Sequence, residues 1–192
     1  MAQGSLSERK EEIEGLVLIA QKGDHDAFSK LYDIFIDPIY RYIFFRVKSE
    51  DAEDILETLF MKVWEHLKQY KRKKNKSFSA WVFRIAHNLV VDYYRASKKH
   101  ATSELTSQIA DKNRNHDPLK NTQDNLDKDK LKIALAKLKK QYQEIIVYKF
   151  VNELSNKEIS QILSKSEGSL RILQFRALKA LKKELKDLGM DY

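Results

Sequence analysis

The stretch that decides the fold is LSNKEISQILSKSEGSLRILQFRA, residues 154–177. Ser155, followed three places later by Glu158, has the capping-box pattern, in which each side chain takes the other's free backbone N–H at a helix start. Ile159 and Ile162 share one face of the helix that follows, and Ser160 is small enough for a second helix to approach it. Leu163-Ser164-Lys165 makes a short turn. Ser166 then caps a helix beginning Glu167-Gly168-Ser169-Leu170. Helix, three- or four-residue turn, helix is the helix-turn-helix plan. In that plan the second helix enters the major groove of DNA, led by its N-terminal half. Here that helix carries Arg171, Gln174, Phe175, Arg176 and Lys179. Arginine and glutamine match base edges, and lysines and capping amides hold phosphates.

Upstream of this motif, Leu131, Leu135, Leu138, Tyr142, Ile145 and Ile146 read as one more helix, so a small helical domain covers about 129–188. Before it, residues 101–128 are rich in Ser, Thr, Asn, Asp and Gln and hold few apolar residues. That composition reads as a flexible linker. It allows the flanking domains either to pack together or to move independently.

Residues 12–100 read as a first helical domain. Leu16, Ile19, Ala27, Phe28, Leu31, Phe35, Ile39, Ile43 and Val47 recur mostly three and four apart, the helical period. Asp37-Pro38 predicts a break or a new helix start. Ser49 or Asp51 is placed to cap the next helix, whose apolar face is Leu56, Leu59, Phe60, Val63, Trp64 and Leu67. After a basic loop, Ser77 or Ser79 caps a helix from about Ala80 to Lys98. Together these elements predict an all-α protein: two small helical domains joined by a flexible linker, the second a helix-turn-helix.

Composition agrees. Five Gly and two Pro among 192 residues are too few for the frequent turns of an all-β fold. There is no Cys, which removes disulfides, thiolate metal sites and Cys nucleophiles. No apolar run is long enough to span a membrane, and the first residues lack a signal peptide's apolar stretch. The five His are scattered without ligand spacing, and no Gly-rich phosphate loop occurs, so neither a catalytic set, a metal nor a cofactor is expected.

Charge is more telling. The net charge of +8 suggests a polyanionic partner. Between Lys71 and His100 stand Lys71, Arg72, Lys73, Lys74, Lys76, Arg84, Arg95, Lys98 and Lys99, opposed only by Asp92. Aromatic Phe78, Trp81, Phe83, Tyr93 and Tyr94 interleave with them, a combination that stacks unpaired bases and follows a backbone. The alternative is that these rings are ordinary core. Just upstream, Glu50, Asp51, Glu53, Asp54 and Glu57 form an acidic patch. Adjacent patches of opposite sign suggest two different partners.

Four blocks then stand in order: Gln21-Lys-Gly-Asp-His-Asp-Ala-Phe28; Asp51-Ala-Glu-Asp-Ile-Leu56 with Phe60-Met-Lys-Val-Trp64; Phe78-Ser-Ala-Trp81 with Arg84-Ile-Ala-His-Asn-Leu89; and Leu154-Ser-Asn-Lys-Glu-Ile159 with Ser166-Glu-Gly-Ser-Leu170 and Arg176-Ala177. Together they resemble the bacterial sigma factors of the extracytoplasmic-function group. The resemblance implies an alternative sigma factor that joins core RNA polymerase, a non-enzyme acting in the cytoplasm. It implies polymerase contacts at Asp51, Asp54, Leu56, Glu57 and Phe60. It implies capture and melting of the minus-ten element by Trp81, Arg84, Asn88, Tyr93, Arg95 and Lys98, with Asn88 near a flipped-out base. Reading of the minus-thirty-five element falls to Lys157, Lys165, Ser169, Arg171, Ile172, Phe175, Arg176 and Lys179. An anti-sigma partner is implied as well. Two departures stand out. Glu57-Thr58-Leu59 occupies the place where the family often has Gln-Glu-Thr, and Ser164-Lys165 occupies a turn that often holds Gly and an apolar residue. A conventional helix-turn-helix regulator, binding duplex DNA by itself as a symmetric dimer, is the rival reading.

Overall fold

Eight α-helices make up most of the computed structural model, which describes residues 5–72, 76–101 and 122–190, without the side chains of 98–101 and 122–129. The first bundle holds α1 (Lys10–Ala20), α2 (His25–Phe44), α3 (Ala52–Leu67) and α4 (Phe78–Ala101). The second holds α5 (Thr122–Lys137), α6 (Lys140–Ile146), α7 (Asn156–Leu163) and α8 (Glu167–Asp187). No strand occurs among the described residues.

Local chemistry sets the helix ends. Gly23 turns the chain between α1 and α2 at φ +97°, where a Cβ would be strained. Asp24 then caps α2, accepting the Ala27 N–H at 2.7 Å. The expected break at Pro38 does not occur: Pro38 lies inside α2. Ile34, Phe35, Ile39, Tyr42 and Ile43 keep one buried face across it, and that burial outweighs the roughly 3 kcal/mol a mid-helix proline costs. Ser77 Oγ accepts the Ala80 N–H at 3.1 Å and so starts α4.

The second bundle departs from expectation twice. The backbone is already helical at Thr122, inside the segment 101–128 expected to be linker; residues 102–121 lie outside the described residues. The single helix expected over Leu131–Ile146 is two, because Lys139 is extended (ψ 139°) and separates α5 from α6. After α6 the chain widens into a π-helical turn, Val147–Val151, which brings Tyr148 fully into the core.

The helix-turn-helix forms as read. The capping box is complete: Ser155 Oγ accepts the Glu158 N–H at 3.2 Å, and Glu158 Oε2 accepts the Ser155 N–H at 3.0 Å. Ile159 and Ile162 are buried. Ser164 adopts the left-handed conformation (φ 54°, ψ 40°) that glycine favours, so a serine makes the turn here. Ser160 Oγ secures it by donating to the Lys165 carbonyl at 2.6 Å.

The two bundles share one core. Tyr148 stacks on Tyr42 of α2 (4.9 Å between centroids, 11° between planes) and meets Phe83 of α4 edge-on at 6.0 Å. Helix α7 lies along α4. Of the two arrangements the linker allows, the packed one is observed.

Candidate nucleic-acid and partner interface

An aromatic groove of about 790 Å³ runs between α2 and α3. Phe28, Tyr32, Leu56, Phe60, Met61 and Trp64 floor it, and Asp37, Glu53 and Glu57 stand in its walls. Tyr32 and Phe60 rings meet at 4.3 Å. Met61 remains 63% exposed and Trp64 38%, so large apolar side chains face water here. Of the residues assigned to the polymerase, Leu56, Glu57 and Phe60 meet in this groove, and Asp54 is exposed on the same helix. Asp51 is drawn elsewhere: its Oδ2 accepts the Tyr93 hydroxyl at 2.8 Å instead of capping α3. Burial, then the Asp51 carboxylate, push the Tyr93 phenol up to about 12. That bond ties an expected polymerase residue to an expected DNA residue.

A second recess, about 320 Å³, opens where the chain passes from α3 to α4. Tyr70 and Trp81 form its aromatic wall (5.3 Å between centroids), with Phe78 behind both. Lys71, Lys76 and Arg84 supply positive charge. Tyr70 was not singled out from the sequence; its place beside the basic loop, three residues after Leu67 ends the α3 apolar face, was the available signal. Arg84 and Asn88, one turn apart on α4, are exposed, but only Arg84 reaches the recess. Arg95 is exposed and paired with Asp92 at 3.2 Å. The side chain of Lys98 lies outside the described residues.

The first helix of the helix-turn-helix closes one side of this recess. Gln161 lines it and accepts the Ser77 N–H at 3.2 Å. Arg84 leans on the Gln161 carbonyl and Ser164 Oγ at 3.4 and 3.5 Å. Glu158 Oε1 accepts the Ser77 hydroxyl at 3.2 Å, so the N3 residue of α7 meets the N-cap of α4. Further along the seam, Arg46 is buried and donates to Glu144 at 3.0 Å, while its Nε and Nη1 reach no acceptor among the described residues. Beside them His87 Nδ1 lies 3.3 Å from the Tyr148 hydroxyl. Burial holds His87 below its ordinary 6.5; Glu144 pulls it up, and Arg46 and Arg84 press it down.

On α8, Ser169, Arg171, Ile172, Phe175, Arg176 and Lys179 all face solvent, and Phe175 is 72% exposed. Lys157 and Lys165 are exposed beside them. Gln174, read from the sequence as a base-edge residue, instead donates to Asn156 Oδ1 at 2.8 Å and locks α8 to the start of α7. Among the described residues no group of three or more His, Cys, Asp or Glu could hold a metal, and no helix is long and apolar enough to cross a membrane.

Comparison with known proteins gives a consistent pattern. Residues 31–100 match the family model of sigma-70 region 2, and residues 128–181 that of sigma-70 region 4. The ECF RNA polymerase sigma factor SigW of Bacillus subtilis is 33% identical over 185 residues, covering 88% of this chain and 94% of the relative. The ECF RNA polymerase sigma factor BldN of Streptomyces coelicolor is 33% identical over 174 residues, covering 90% of this chain and 65% of that protein. Among solved structures, CnrH in complex with the cytosolic domain of CnrY superposes with a TM-score of 0.68 at 22% identity, covering 90% of this chain and 96% of CnrH.

Proposed function

This chain belongs to the ECF sigma factors, alternative sigma factors that direct RNA polymerase to promoters, and from that premise we propose how its surfaces divide the work. The observation that carries the reading is the pairing of two unlike sites on one bundle. The α2–α3 groove is apolar with acidic walls; the recess at the start of α4 is aromatic with basic walls.

The groove takes core polymerase. Leu56, Phe60 and Trp64 offer buriable apolar area, and Asp54 and Glu57 select a basic partner helix and keep other apolar segments away. The recess takes the unpaired strand of the minus-ten element. Tyr70 and Trp81 supply stacking faces for a base taken out of the duplex, and Lys71, Lys76 and Arg84 follow its phosphates. Asn88, Tyr93, Arg95 and Lys98 continue the contact along α4. On α8, Arg171 and Arg176 read base edges of the minus-thirty-five element in the major groove, with Ile172 and Phe175 against thymine methyls. Ser169, Lys157, Lys165 and Lys179 hold phosphates. Residues 12–100 and 129–188 act as the two promoter-binding units, and 101–128 spans between them on the polymerase. Because α7 covers one side of the recess, the bundles part when holoenzyme forms.

The role is that of a specificity subunit acting in the cytoplasm, with no chemical step of its own. The sigma factor RpoE of Bartonella quintana is solved in complex with the anti-sigma factor NepR; an anti-sigma polypeptide is the expected third partner here. The direct test is transcription from fragmented genomic DNA with sigma-free bacterial core polymerase, mapping the starts. Discrete starts sharing two spaced upstream elements support the reading. Absence of such starts, with tight duplex binding by the protein alone, refutes it in favour of a conventional regulator.

A further inference from the structure

The recess is lined almost wholly from within residues 31–100, the segment matched to region 2, but two side chains that hold its wall come from outside that segment. Helix α1 presents two polar groups to the passage from α3 to α4. Glu14 is 2% exposed, and its Oε1 accepts both the Tyr70 hydroxyl at 3.3 Å and the Phe78 backbone N–H at 3.2 Å. Gln21, seven residues on, donates through Nε2 to the Leu67 carbonyl at 2.9 Å and the Tyr70 carbonyl at 2.7 Å. Seven residues are two helical turns, so the two side chains share a face about 10 Å apart.

What these bonds hold is specific. Gln21 bonds the Leu67 and Tyr70 carbonyls where the chain leaves α3, the first of which also accepts the Tyr70 N–H at 3.1 Å, and Glu14 takes the Phe78 N–H, which has no partner within α4. Tyr70 is gripped at both ends, carbonyl by Gln21 and hydroxyl by Glu14. Burial and the Glu14 carboxylate push the Tyr70 phenol up, so it remains a donor. On the solvent side, Arg72 Nε comes within 3.8 Å of Glu14 Oε2. A helix needing only to cover a core would carry a leucine at position 14, since a buried carboxylate is costly unless it is hydrogen-bonded. Both hydrogen bonds that Glu14 accepts among the described residues come from the wall of the recess or from the helix start beside it.

We propose that Glu14 and Gln21 are positioning residues for promoter opening: by fixing Tyr70 against Trp81 and the start of α4, they set the width of the recess and therefore how strictly it discriminates the unpaired base it holds. This rests on the assignment of the recess to the minus-ten strand. Neither residue touches DNA; each acts through Tyr70.

The test uses holoenzyme assembled with bacterial core polymerase. The probes are single-stranded minus-ten oligonucleotides, taken from a mapped promoter, with each of the four bases at each position. Glu14→Met and Gln21→Met are expected to lower the ratio between best and worst base at least fivefold at one position. Discrimination elsewhere and affinity for core polymerase stay as in the wild type. Glu14→Gln keeps an amide oxygen where Oε1 stands, so it retains the wild-type ratio within twofold. Wild-type ratios in both Met variants, uniform loss at all positions, or failure of Glu14→Gln alongside Glu14→Met overturns the proposal. If Glu14→Met does not fold, Gln21→Met decides by the same ratio, because Gln21 is only half-buried. A wild type with no base preference at any position overturns the assignment of the recess itself, and the proposal with it.

Discussion

Glu144→Ala separates what holds the two bundles together from what merely lies between them. Arg46 and Glu144 form an ion pair across the seam, their side chains 1% and 16% exposed. Removing one member of a buried pair strands the other, at a cost of about 3–5 kcal/mol. Glu144 has some access to water, so the lower end, about 3 kcal/mol, applies to its loss. Arg46 then keeps its charge in the core with no carboxylate, and its Nε and Nη1 already lack acceptors. The reverse change, Arg46→Met, lays an unbranched apolar chain against Tyr42 and lets Glu144 turn outward, at about 1 kcal/mol. At about 1.4 kcal/mol per tenfold, Glu144→Ala shifts the packed-to-parted equilibrium about a hundredfold. Small-angle scattering of the free protein reads this as a larger radius of gyration. If parting and unfolding are one event, the midpoint falls by about 6–12 °C, at roughly 2–4 °C per kcal/mol for a chain of this size. An Arg46→Met variant as damaged as Glu144→Ala refutes the argument, because the asymmetry comes from the stranded charge.

Other expectations are narrower. Asp54→Arg, at an exposed site, leaves thermal stability within about 0.5 kcal/mol and lowers affinity for core polymerase about tenfold or more; a fully active variant sinks the groove assignment. Arg176→Ala weakens minus-thirty-five binding by about 1–3 kcal/mol without changing polymerase binding, measured on promoters with and without that element; equal loss on both removes it from base reading. Ser164→Gly relieves a left-handed serine and raises stability by about 1 kcal/mol, read by urea unfolding; a lower midpoint means the weak contact to Arg84 matters more than the strain. His87 has its packed-state pKa below 6.5, so the unfolded or parted state binds the extra proton. The packed state is therefore fully stable above 6.5 and weakens as pH falls through it. His87→Asn removes that part of the pH profile, and an unchanged profile assigns it to other groups.

Much of this was legible because it is local. The capping box at Ser155 and Glu158, the Ser166 cap and the α3 apolar face each follow from residues a few places apart. What escaped depends on residues far apart in the chain. Pro38 suggested a break because a local rule was applied where a buried face decides. Gln174 pointed to DNA until Asn156, eighteen residues earlier, offered it a partner. Glu144 and Arg46 are ordinary surface types in sequence, and they are buried by the packing of the two bundles around the Tyr148–Tyr42 stack. The recess was half visible: its bases and Trp81 stood out. Its tyrosine, and the glutamate and glutamine that fix it, did not, because their partners come from another helix.

Glu158 spans the seam in a way that bears on the field around the recess. One oxygen serves the start of α7, and the other receives the Ser77 hydroxyl at the start of α4. While the bundles are packed, this carboxylate sits beside the positive ends of two helices and is bonded to Ser77, which lines the recess together with Lys71, Lys76 and Arg84. A polyanion approaching the closed protein meets a surface partly neutralised from within. When the bundles separate, Glu158 leaves with α7, and the lysines, Arg84 and the positive end of α4 stay behind. If the bundles part as proposed, the displacement that uncovers the recess also raises its electrostatic potential, and access and attraction to a polyanion are switched on together.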